Sequence, residues 1–319
     1  MLWTYLIHLG SNMWGDRNTR RTTRYFSCEP CYQETMLTDR AVWRKVVDFA
    51  AAQGINTLLI DLGEGVQYAS HPELAVPGAW SRDELTAELA RLRKIGITPV
   101  PKLNFSACHD AWLGPWRMMR CTEAYYRVCH ELIDEVCGLF GRPAYFHLGM
   151  DEETWDHQKN RGSAFIRGEE LWWHDLYDLA ERCGKNGARA WIWSDYYWHH
   201  PDIFVKRMPK TILQSNWRYE RIPLPDADGR YPNVGYQAYL DLDRLGYDQV
   251  PTASTWAFHS NIEQTVRLAL DEHFDPNHLL GFMAAPWQFT VEENLYTLMD
   301  DAYRLGRARR LFEEETSKE

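Results

Sequence analysis

Eight times along this chain, a run of five to eight largely apolar residues is followed by a longer segment with helical spacing. The strand-like runs fall at 3–9, 56–62, 98–105, 144–150, 188–194, 211–217, 250–256 and 281–287. The helical segments begin and end on recognisable signals. Thr38-Asp39 caps the first, which stops at Gly54. Ser81 with Glu84 three residues on is a capping box for the second, which stops at Gly96. Later helices are expected over 122–140, 168–183, 236–245, 262–273 and 291–312, with a short one after Pro201 and a frayed charged tail at 313–319. Strands buried on both faces and joined through helices pair in parallel, and eight such units close a barrel. The expected fold is therefore α/β, a single (β/α)8 TIM barrel over 1–319, with a long loop at 10–38 after the first strand. The length of 319 residues suits that reading, because a barrel of this type needs about 250 residues plus insertions. No composition shift marks a linker, and no repeat is visible beyond the alternation itself.

In such barrels the chemistry lies at the C-terminal ends of the strands. The end of the fourth strand, Tyr145 to Trp155, is the most informative stretch. It delivers Asp151, Glu152 and Glu153 side by side after His147 and Gly149. Adjacent carboxylates repel, so a strand end gains no stability by collecting them. One reading is that they open the next helix, where the positive end of the macrodipole favours them. The other is a catalytic pair whose pKa values are split into an acid and a base. The remaining strand ends add Glu64, His109, Trp193, Asp195, Trp217, Trp256 and Trp287. Tryptophan is costly to place, and this chain has 15, with 17 Tyr and 12 Phe. Aromatic faces and hydrogen-bonding groups together make a cleft suited to sugar rings; a Trp-rich core is the competing explanation.

Charge narrows the partners. A formal net charge of -10 disfavours nucleic acid, whose phosphates need a basic face, and an anionic membrane surface. No run approaches 18 apolar residues. The seven cysteines include one Cys28–Cys31 pair without a second pair to complete a zinc site, and are read as mostly reduced and buried, hence cytoplasmic. Residues 2–9 lack the basic leader and small-residue cleavage site of a signal peptide. No cofactor is expected, and the oligomeric state is not encoded.

His147-x-Gly149-x-Asp151-Glu152 resembles the HxGxDE motif of family 20 glycoside hydrolases, the β-N-acetylhexosaminidases. His71-Pro72-Glu73-Leu74, Trp80-Ser81-Arg82-Asp83-Glu84-Leu85 and Trp193-Ser194-Asp195 are similar to that family too. The resemblance implies a retaining, exo-acting hydrolase of terminal β-linked N-acetylhexosamine (GlcNAc or GalNAc) using substrate-assisted catalysis. Asp151 would orient the substrate acetamide. Glu152 would protonate the leaving oxygen and then deprotonate water, which needs a pKa near neutral, raised by burial and by Asp151. Glu64, His109, Trp193, Asp195, Trp217, Trp256 and Trp287 would bind the sugar, with His147 beneath the site and Glu153 turned away. The pattern also departs from the family. Trp256 is followed by Ala257, Phe258 and His259 where the family has a Tyr and an Asp, and Trp287 by Gln288 and Phe289 where it has a Glu. The family's sugar-gripping Arg after strand 1 has candidates in Arg17, Arg20, Arg21 and Arg24, and its strand 2 Asp is expected to be replaced by Glu64. Two other readings stand beside the hydrolase: a sugar-binding barrel without catalysis, and a metal-dependent sugar isomerase or hydrolase using His109, His147, Asp151, Glu152 and Asp61.

Overall fold

The computed structural model describes residues 1–15 and 32–318. The candidate arginines Arg17, Arg20, Arg21 and Arg24, and the Cys28–Cys31 pair, lie outside the described residues. Eight parallel strands form one sheet: β1 Leu2–His8, β2 Thr57–Asp61, β3 Thr98–Lys102, β4 Tyr145–His147, β5 Arg189–Trp193, β6 Leu213–Ser215, β7 Thr252–Ala253 and β8 Gly281–Ala284. Each strand lies beside its sequence neighbour, and β1 pairs with β8. Between β6 and β7 the ring is closed by backbone bonds: Val250 N donates to Gln214 O (2.8 Å) and Thr252 N to Asn216 O (2.8 Å). The barrel read from the strand–helix alternation is the barrel observed.

The helices are α1 Arg40–Ala52, α2 Arg82–Lys94, α3 Glu123–Leu139, α4 Trp155–Gln158, α5 Glu169–Lys185, α6 Tyr196–His199, α7 Pro201–Arg207, α8 Val234–Arg244, α9 Asn261–Asp271 and α10 Leu295–Thr316. The tail expected to fray continues α10 to Thr316. Two-residue alternation sorts each strand. Tyr5, Ile7, Leu58, Ile60 and Phe146 face the helices, against residues such as Val46, Leu89 and Ile133. Leu6, Leu59, Val100, Trp191, Leu213 and Met283 fill the barrel. One step nearer the C-terminal ends, the inward positions become polar: His8, Asp61, Lys102 and His147, beside Trp193. Lys102 pairs with Asp61 on the neighbouring strand. This buried layer is the floor of the site.

The capping box is formed as expected. Glu84 N donates to Ser81 Oγ (3.1 Å) and Ser81 N to a Glu84 carboxylate oxygen (2.8 Å). Ser81→Ala orphans the Glu84 amide, so it is expected to lower unfolding stability by about 1 kcal/mol. Urea denaturation checks this; an unchanged midpoint would mean the cap carries no weight.

Candidate active site

The acids are delivered by an unusual turn. After β4, Gly149 (φ +76°), Met150 (φ +70°) and Glu152 (φ +55°) all occupy the left-handed region. For a non-glycine residue this costs about 1–3 kcal/mol, and such strain collects at functional sites. Gly149 is required there for a second reason: an added Cβ would lie 1.9 Å from Asn104 Oδ1. Asn104, just past β3, donates from Nδ2 to Asp151 Oδ1 (3.0 Å). His147 holds the same turn from below, since its Nδ1 accepts from Gly149 N (3.0 Å). Burial and the nearby Lys102 ammonium push the His147 pKa well below its usual value, so it is neutral. It supports the turn, not Asp151 itself.

Asp151 and Glu152 reach the same imidazole. His109 Nε2 lies 3.3 Å from Asp151 Oδ2 and 3.1 Å from Glu152 Oε2. Asp151 is nearly enclosed, whereas the Glu152 side chain keeps 23% of its surface exposed. The first acid is thus deep and fixed, and the second faces the opening. Burial alone would lower the His109 pKa; the adjacent Cys108 side chain and the Asp151 carboxylate reverse that and hold it well above the usual value. Burial would raise Glu152, but hydrogen bonds from His109 and from His157 (Nε2 to Glu152 Oε1, 3.2 Å) pull it well below the usual carboxyl range. This corrects the expectation of a near-neutral Glu152: two imidazoles outweigh burial and the neighbouring Asp151. The near-neutral acid is Asp195, raised to about 7 by burial and by the Asp151 charge. Asp195 Oδ2 accepts from Glu152 N (2.9 Å) and Oδ1 from Trp217 Nε1 (3.3 Å), so it fixes the backbone of the second acid.

Three of the four tryptophans line the mouth. Trp217 stacks on Tyr219 (5.3 Å between centroids, 23° between planes), and Tyr219 also meets Trp256 (6.5 Å) and Trp287 (6.3 Å). Trp256 is 39% exposed. Trp287 has φ +53°, another strained residue at the site. Trp193, read as a binding wall, is instead fully buried, packed on His147 (4.6 Å) and beneath Trp287 (5.7 Å). It belongs to the floor because it is an inward residue of β5 itself, one layer below the loops. Glu64 also requires correction. It is buried, and its carboxylate accepts from Ser11 N (2.6 Å), Ser11 Oγ (3.0 Å) and Asn12 N (3.1 Å), tying down the loop after β1. Buried and bound to that loop, Glu64 does not face the opening where a sugar hydroxyl would lie. The strand 2 acid at the floor is Asp61, already paired with Lys102.

Glu153 turns away, as expected, into an ion pair with Arg167 (2.6 Å) while accepting from Ala107 N (2.7 Å). Sequence reasoning missed Asn104 as the partner of Asp151, Tyr219 as the hub of the aromatic wall, and His157. Of the five residues named for a metal alternative, Asp61 is taken by Lys102 and His147 by the Gly149 amide. The donors that do converge among the described residues are Cys108, His109 and Glu152, within 4.8 Å of one another. Burial pushes the Cys108 thiol up to about 11, so a cation there would have to displace its proton.

No family model and no curated protein matches the chain in sequence. Solved structures do match in fold. A Flavobacterium johnsoniae chitobiase superposes with a TM-score of 0.62 at 18% identity, over 87% of this chain and 48% of that one. A Vibrio harveyi family 20 exo-β-N-acetylglucosaminidase, solved with N-acetylglucosamine, gives 0.61 at 14% identity, over 98% and 56%. A Bacteroides fragilis β-N-acetylhexosaminidase gives 0.60 at 14%, over 95% and 65%. The chain thus spans less than two thirds of the length of each. What it shares with these enzymes is the barrel architecture.

Proposed function

We propose that this protein is a retaining glycoside hydrolase that removes terminal β-linked N-acetylhexosamine by substrate-assisted catalysis. One observation carries the reading: Asp151 and Glu152 meet the same imidazole, one deep and held by Asn104, the other open to an aromatic mouth. In this scheme the substrate's acetamido oxygen attacks its own anomeric carbon as the glycosidic bond breaks. Glu152 gives a proton to the departing oxygen, and Asp151 accepts from the acetamide N–H and steadies the positive oxazolinium. Water then attacks the anomeric carbon and Glu152 takes its proton, which restores the acid. Trp217, Trp256 and Trp287 stack on the ring and its acetamide methyl. The five described cysteines are free thiols, which supports a reducing compartment and hence a cytoplasmic enzyme. Among the described residues no helix is long and apolar enough to cross a membrane.

The test is turnover of phenyl N-acetyl-β-glucosaminide and N-acetyl-β-galactosaminide against the plain β-glucoside. Cleavage of an N-acetyl substrate, absent for the plain glucoside and blocked by an N-acetyl-thiazoline mimic, is expected. Equal cleavage of the plain glucoside removes the acetamide from the mechanism. Tight sugar binding without turnover of any of them would favour the non-catalytic barrel instead.

A further inference from the structure

Two imidazoles hold the Glu152 pKa well below the usual carboxyl range, so to act as an acid it must be handed a proton, and its surroundings offer two sources. Both its oxygens are occupied by imidazoles, Oε2 by His109 and Oε1 by His157. His109 is shut in: its Nε2 is shared by the two acids, and its Nδ1 is buried with no hydrogen-bond partner. A proton lost from that ring has no direct return from solvent. His157 is different. Its side chain is 45% exposed, and its Nδ1 lies 2.7 Å from Thr154 Oγ1, on the exposed side.

The placement of His157 is built into the chain. Thr154 N donates to Glu152 O (2.6 Å), which folds the backbone sharply after the acids. Thr154 then caps α4 by accepting from His157 N (3.4 Å). That single turn of helix swings His157 back onto the carboxylate five residues before it. Gln158 locks the far side, giving Nε2–H to Phe165 O (2.9 Å) and accepting from Phe165 N (2.7 Å). The Thr154 hydroxyl serves either charge state of His157. It accepts from Nδ1–H in the imidazolium and in the neutral ring left when Nε2 gives up its proton, and donates to Nδ1 in the other neutral tautomer.

We propose that His157 is the proton entry of this site: it takes a proton from solvent and loads it onto Glu152. The inference rests on the reading of Glu152 as the acid. In the loading step the His157 Nε2–H bond breaks and an O–H bond forms at Glu152 Oε1. Imidazolium and carboxylate become neutral imidazole and carboxylic acid, and charge and protons balance. The reverse step unloads the acid. His157 acts through Glu152, so it is a positioning and proton-supplying residue. The groups that face it are Glu152, Asp195 from the β5 loop and Asp156 of its own turn, which favour the imidazolium, and His109 and His199, which oppose it. Burial lowers its pKa, but the hydrogen bond and charge of Glu152 outweigh that, and the net shift is upward.

The experiment combines ring titration with kinetics on the full chain. Two-dimensional NMR of the histidine rings should show His157 titrating above 6.5 in the unaltered protein and falling back towards it in Glu152→Gln. On phenyl N-acetyl-β-glucosaminide, His157→Ala should lose about 10-fold or more in kcat at neutral pH with KM little changed, a loss within the range of proton-transfer assistance. Its alkaline limb should move to lower pH, and free imidazole should restore activity. His157→Gln keeps a donor for Glu152 but carries no proton, so it should stay slow. A His157→Gln variant as fast as the parent, or an alkaline limb left in place, overturns the proposal. If the parent cleaves no N-acetylhexosaminide, the hydrolase reading falls by itself, and the titration alone decides His157: a ring unmoved by Glu152→Gln overturns the exchange.

Discussion

Glu152→Gln should cut kcat on phenyl N-acetyl-β-glucosaminide by about 1000-fold, the middle of the range that general acid–base catalysis supplies. The amide fills the same space and accepts the same hydrogen bond from His109, and residue 152 keeps its left-handed backbone, so the fold and KM should hardly change. What is lost is the transferable proton. The deficit should therefore depend on the leaving group. A poor one such as phenolate needs protonation and suffers the full loss, whereas dinitrophenolate departs unaided and loses less in the first step. The second step fails for want of a base, so azide, which needs no deprotonation, should restore turnover of the dinitrophenyl substrate and leave a glycosyl azide. Stopped assays across the leaving-group series, with product analysis, check each part. Unchanged kcat would take Glu152 out of the chemistry.

The strand–helix alternation was enough to read the barrel, because parallel strands covered on both faces leave long apolar runs, and caps such as Ser81 with Glu84 act within four residues. The acid pair was equally legible, since Asp151 and Glu152 are adjacent in the chain and no structural need gathers them. The parts that were illegible depend on contacts between distant segments. Glu64 was an acid after a strand in sequence, and only the return of Ser11 and Asn12 to it shows where its charge is spent. Trp193 looked like the other strand-end tryptophans, but one step of pleat separates a floor residue from a wall residue. Tyr219 sits in an irregular segment with no periodicity to place it. His157 lies on a four-residue helix, too short for any spacing to reveal, and together with His109 it reverses the pKa that burial alone predicts for Glu152.

The second large effect is on stability and lies behind the acids. Arg167 is 1% exposed and lies 2.6 Å from a Glu153 oxygen and 2.8 Å from an Asp175 oxygen, with a further bond to Phe105 O. Asp175 in turn accepts from Tyr126 Oη (2.7 Å), and Glu153 from Ala107 N (2.7 Å). One guanidinium therefore joins the loops after β3 and β4 to α5 and α3. Arg167→Met keeps the apolar stem but leaves two buried carboxylates without their cation, so a loss of about 3–5 kcal/mol is expected. Arg167→Lys should recover little, because one ammonium cannot replace a planar fork between two acids. The pH dependence follows from Glu153. Its pKa is already raised, by burial first, with Arg167 working to lower it. Removing Arg167 raises it further, and a raised carboxyl contributes stability at low pH that is lost as pH rises through its folded value. The Arg167→Met deficit should thus be larger at pH 8 than at pH 5, and Glu153→Gln added to it should recover part of the loss at pH 8 and less at pH 5. Urea denaturation of the three variants at both pH values tests this. A deficit under about 1 kcal/mol, or one independent of pH, would mean water reaches these carboxylates, and the strained turn carrying Asp151 and Glu152 would then have to be held by its other contacts, Asn104, Ser106, His147 and Asp195.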